Sequence, residues 1–148
     1  MKEELLMDIS ERKAIDLLVS EFWRLGFFTI SRRFGTYLPV PENIGKFPVD
    51  VIGRLKEKYA VGITLKKEDI FSSDLIEKIN FLASRRTKFS HKPIILFVGV
   101  PEIYFKQVKE ILLNVDDKFK KNIKIIRIVD GDLKSKTVIK ENQPAIFS

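Results

Sequence analysis

Glu11, Asp50 and Lys66 stand apart by their chemistry and their setting. Asp50 is a charge between Val49 and Val51, inside an otherwise apolar run. Lys66 closes a stretch in which strand alternation puts Ala60, Gly62 and Thr64 on one face and Val61, Ile63 and Leu65 on the other. Small residues leave an open floor above a sheet, so a lysine at the end of that face has room to act. Glu11 falls in register with Ile15, Leu18, Phe22 and Leu25, the stripe a helix turns to its core. Two carboxylates and a lysine on one small-residue patch suit phosphodiester cleavage. Carboxylate oxygens hold a divalent cation. The cation polarises the phosphate and acidifies a bound water, while the lysine stabilises negative charge or orients that water. Plainer readings stand beside this one. Asp50 and Lys66 fit an ion pair at a strand end, and Glu11 fits a helix capping box, Asp8-Ile-Ser-Glu11, worth about 1 kcal/mol.

The elements that must position these residues follow from periodicity. A helix from the capping box ends at Gly26, and Phe27 to Arg32 reads as a strand. Gly35, Pro39, Pro41 and Gly45 mark Phe34 to Lys46 as a loop. Phe47 to Gly53 and Tyr59 to Lys66 form a hairpin turning at Lys56 and Glu57. A second helix, capped by Ser72 or Ser73, carries Leu75, Ile79, Leu82 and Arg86 in register. Ile94 to Val98 is apolar at every residue, as in a strand buried on both faces. A third helix spans Glu102 to Val115, a strand follows at Ile123 to Val129, and Lys136 to Lys140 is a short edge strand. The order α-β-β-β-α-β-α-β describes a mixed sheet flanked by helices, with a parallel crossover from residue 94 to 129. The 148 residues fit one domain, 1–148, without repeat or linker.

Composition narrows the chemistry. Apolar residues make up 45% and charged residues 32%, outside the range of disordered and collagen-like chains. The longest apolar run, Ile94 to Val100, is far short of the roughly 20 residues a spanning helix needs. The segment Met1 to Met7 is too acidic for a signal peptide, so a soluble cytoplasmic domain is expected. Cysteine is absent and His91 is the one histidine, which excludes disulfides, thiol nucleophiles and His-rich metal clusters. With neither a Gly-rich nucleotide loop nor a nucleophile elbow, no nucleotide cofactor is expected. There are 27 basic residues against 20 acidic, a net +7, with one-sign clusters around Arg85, Arg86, Lys88 and Lys92 and around Lys118 to Arg127. Such clusters favour an anionic partner, nucleic acid first.

The layout as a whole resembles a known family. A helix carrying Glu, an Asp on the first hairpin strand and an x-Lys on the second is the pattern of the PD-(D/E)xK nucleases, and within them of the archaeal Holliday-junction resolvases. Ser10-Glu11-Arg12, Gly26-Phe27, Arg32-Arg33, Val49-Asp50-Val51-Ile52 and Gly62-Ile63-Thr64-Leu65-Lys66-Lys67-Glu68-Asp69 carry the resemblance, over roughly residues 9 to 90. It implies a restriction-endonuclease-like α/β fold and a homodimer acting on DNA, branched DNA included. Glu11 and Asp50 would be ligands of Mg²⁺ or Mn²⁺, and Lys66 the catalytic lysine. Arg32, Arg33, Lys66, Lys67, Arg85 and Arg86 would face DNA. The departure is Thr64, where the family carries an acid. Two explanations compete. Asp74 or Glu77 on the following helix supplies the acid, or the site is degenerate and binds nucleic acid without cutting well. An inactive structural or regulatory protein acting through protein contacts is the alternative of a different class. The loop from Phe34 to Lys46, with its apolar residues, is a candidate for the surface of the implied homodimer.

Overall fold

The computed structural model describes residues 2–88 and 90–129, with side chains from residue 11 onward. Helix α1 (Lys2–Arg24) begins well before the expected cap at Asp8. Lys-Glu-Glu-Leu-Leu-Met are all strong helix formers, so the helix extends through the capping sequence. Glu11 therefore lies inside the helix, and its carboxylate is not committed to a cap. Gly26, at φ +94°, ends the helix, with its N–H donating to the Trp23 carbonyl and that of Phe27 to the Phe22 carbonyl.

Five strands form one mixed sheet in the order β1-β2-β3-β4-β5. Strand β1 (Phe28–Arg32) pairs antiparallel with β2 (Val51–Leu55), with a one-residue bulge between Thr29 and Ser31. Strand β2 starts later than its sequence pattern suggests. Pro48 has no N–H to give a ladder, and Phe47 bonds only to Ile44 in a local bridge. Lys56, at φ +55°, turns the chain into β3 (Lys58–Thr64). Strands β4 (Ile95–Pro101) and β5 (Ile123–Ile128) then lie parallel to β3.

Lys66 is not a strand residue. It precedes α2 (Lys67–Ile70), a single turn that hydrophobic periodicity does not reveal. Helix α3 (Leu75–Ala83) takes its N-cap position from Asp74, and Arg86 lies beyond its end. The expected helix from Glu102 to Val115 is broken into a 3₁₀ turn, α4 (Phe105–Ile111) and a second 3₁₀ turn. Another short helix, α5 (Asp117–Lys120), leads into β5. The proposed strand at Lys136 to Lys140 lies outside the described residues. No helix among those described is long and apolar enough to cross a membrane.

The sheet carries a core on each face. Val61, Ile63 and Leu65 meet Leu75, Ile79 and Leu82 of α3 and Val108 of α4. On the other face Ile15, Leu18 and Phe22 of α1 meet Val51, Ala60 and Phe97. The small residues there do not leave an open floor, as their sizes alone suggest. A Cβ on Gly53 would lie 2.6 Å from the Phe22 ring, and one on Gly62 3.2 Å from Leu18. Glycine at these positions lets α1 sit close against the sheet.

Gly53→Ala is therefore expected to destabilise the fold by about 1–3 kcal/mol, the usual cost of overpacking a filled core. Urea unfolding should show a lower midpoint at an unchanged slope. An unchanged midpoint would mean that α1 is not held in contact at this position.

Candidate functional site

At the end of the sheet where β1 finishes and β2 begins, five side chains from four segments form one polar network. α1 supplies Glu11. Arg33 follows β1, Asp50 precedes β2, Thr64 ends β3 and Lys66 follows it. The hairpin register explains part of the assembly, since pairing Leu55 with Lys58 carries Val51 opposite Gly62 and brings Asp50 and Thr64 to one strand end.

Arg33 is the centre. Its Nη1 donates to Asp50 Oδ1 at 2.9 Å and its Nη2 to Glu11 Oε2 at 3.1 Å. Its own N–H donates to the Asp50 carbonyl at 2.9 Å, fixing the backbone beneath the pair. The second oxygen of Asp50 accepts from the Thr64 backbone N–H at 2.7 Å and from Thr64 Oγ1 at 2.9 Å. The second oxygen of Glu11 pairs with Lys66 Nζ. Asp69 accepts from the Lys66 N–H at 2.8 Å and so holds the start of α2 beside the network.

Two carboxylates thus balance two cations, and all four carboxylate oxygens are engaged by protein donors. Asp50 is buried, at 7% exposure, which an anion tolerates only with such partners. Burial pushes the Glu11 carboxyl up, but the Lys66 ammonium and Arg33 guanidinium outweigh it and hold the group below the usual carboxylate range. The Glu11 carboxylate raises the Lys66 ammonium above its ordinary value, against partial burial and the repulsion of Arg33.

This donor set does not fit a divalent cation. A guanidinium stands between the two carboxylates, and Thr64 gives Asp50 a hydroxyl donor where the resemblance calls for a third acid. Neither substitute acid joins them. α3 packs on the sheet face opposite α1, and Glu77 there pairs with Lys46 at 3.3 Å. Asp74 accompanies Glu77 at the start of α3, accepting no part in the network. Among the described residues no group of three or more histidines, cysteines and acids gathers to hold a metal.

The basic residues separate by position. Arg32 pairs with Asp16 and donates to the Arg33 carbonyl, while Lys66 and the exposed Lys67 lie at the network end of the sheet. Arg85 and Arg86 lie at the opposite end. Arg86 bridges to Pro93 just before β4, and neighbouring Lys92 pairs with Glu57 of the hairpin turn. The two groups thus sit at opposite ends of the sheet. The bridging role of Arg33 and the donor role of Thr64 are what sequence reasoning missed. Matches were sought among protein-family models, curated proteins and solved structures, and none is found.

Because the folded-state pKa of Glu11 is depressed, its contribution to stability is complete above the ordinary carboxylate pKa of about 4.3. That contribution is lost as pH falls through the lower folded value. Glu11→Gln should therefore be less stable than the native chain near neutrality, with the gap closing below pH ~4. Urea unfolding at a series of pH values measures it. A gap independent of pH would show that the Glu11 charge does not stabilise the network.

Proposed function

We propose that this chain is a DNA-binding protein of nuclease-like architecture in which the guanidinium of Arg33 takes the place of the divalent cation. It binds DNA through phosphate contacts and does not cleave it by a metal-dependent route. The observation that carries this reading is the Arg33 bridge between Glu11 and Asp50. A mixed sheet with a Glu-bearing helix over the strand end of Asp50 and Lys66 supports the resemblance to junction resolvases. The net charge of +7, with Arg12 and Lys67 exposed at that end, supports an anionic polymer as partner.

The same reading includes a two-fold partner. Trp23 and Phe28, edge to face at 5.5 Å, and Ile30 form an exposed apolar strip at the free edge of the sheet. That strip also favours the second reading, a protein acting through protein contacts alone. Salt dependence separates the two. Counterion release makes phosphate binding fall steeply with salt, by a slope of roughly 0.9 per phosphate contacted. A protein-contact module leaves DNA unbound even at low salt.

Anisotropy titrations with a short duplex and with a four-way junction are expected to show binding that weakens steeply with salt. Lys67→Glu should weaken it by a similar factor for every sequence. Calorimetry should detect no Mn²⁺ binding to the native chain, and binding should emerge in the Arg33→Ala/Thr64→Glu double variant. Adding Asp50→Asn should abolish it again. Cleavage of DNA by the native chain with Mn²⁺ would overturn the proposal.

A further inference from the structure

Beside the network, α1 and the loop after β1 border an open cleft of about 350 Å³ lined by Arg12, Asp16, Arg32, Phe34 and residues 35–38. That volume is at the lower end of small-molecule sites and suits one ring system with its attached groups. Two features fix the side chains that border it. Phe34 has a left-handed backbone, φ +60°, which a bulky residue rarely adopts. Two guanidinium groups lie over its ring, Arg12 at 5.1 Å and Arg33 at 5.0 Å. The Arg12 side chain is thereby held over the cleft, and among the described residues it forms no ion pair with a carboxylate. Tyr37, on the rim, is 95% exposed and takes part in no ring contact among the described residues.

A guanidinium and an open aromatic ring at one cleft match a phosphate joined to a flat ring. We infer that the cleft takes one unpaired nucleotide of a DNA strand, its phosphate on Arg12 and its base stacked on Tyr37. Within a duplex each base is covered on both faces by its neighbours and held to its partner strand, so a base left unpaired enters the cleft and presents its face to the tyrosine without breaking a pair. The site therefore gives a preference for DNA with a single-stranded segment. It rests on the DNA-binding reading above and adds the form of DNA that is selected.

The test compares a blunt duplex with the same duplex carrying an unpaired thymidine tail, both titrated against the full chain. The native protein is expected to bind the tailed DNA about tenfold more tightly, the effect of one base–aromatic stack. Tyr37→Ala should remove that preference and leave duplex affinity unchanged, and Tyr37→Phe should keep it. Tyr37 is so exposed that neither substitution disturbs the core. Equal affinity of the native chain for both DNAs, or a preference that survives Tyr37→Ala, overturns the inference while the DNA-binding reading stands. Failure to bind either DNA at low salt overturns both.

Discussion

A single guanidinium holds together parts of the chain that are far apart in sequence. Through Arg33, the Glu11 carboxylate of α1 is tied to Asp50 at the start of β2, and through Asp50 to Thr64 at the end of β3. The packing of α1 onto the glycines brings Glu11 over the sheet but does not fix what it meets there. Removing Arg33 would leave two carboxylates facing one another, one of them buried, which is far costlier than losing an exposed ion pair. Electroneutrality within the group is what allows Asp50 to be buried.

The same group determines what chemistry is available. A Mg²⁺ site needs carboxylate oxygens that are free and close to octahedral geometry. Here the oxygens are occupied by a rigid planar fork, a hydroxyl, a backbone N–H and an ammonium. A guanidinium neutralises charge as a metal does, but it cannot bind and acidify water. The group therefore neutralises charge without supplying a metal-bound water.

Part of this was readable from residue types alone. Alternation separated Val61, Ile63 and Leu65 from Ala60, Gly62 and Thr64, and the unbroken apolar run before Gly99 gave the buried β4. Asp50 stood out as a charge in an apolar run, and Glu11 by its helical register. Other features depend on geometry that no local pattern encodes. Small residues at Gly53 and Gly62 read equally well as an open floor or as a seat for Leu18 and Phe22, and only the depth of the helix decides. Thr64 read as a lost acid because what its hydroxyl and N–H meet is decided by the neighbouring strand and not by its own segment. Arg85 and Arg86 were grouped with Arg32 and Arg33 because charge counted along a chain carries no direction in space.

The bulge in β1 is a further case. Thr29 pairs with Gly53, yet Ser31 pairs with Ile52 and Arg32 with Val51, so the strand holds one residue more than its partner. In an unbroken ladder Arg32 would fall beside Asp50. The extra residue moves that place to Arg33 and sends Arg32 to Asp16 at the cleft. Two chemically identical neighbours are thus sorted into different tasks by backbone length, not by side chain. Deleting the extra residue would close the ladder and leave Arg33 beside Asp50, whereas flattening the bulge at full length would bring Arg32 there, a reassignment that no substitution at either arginine can produce.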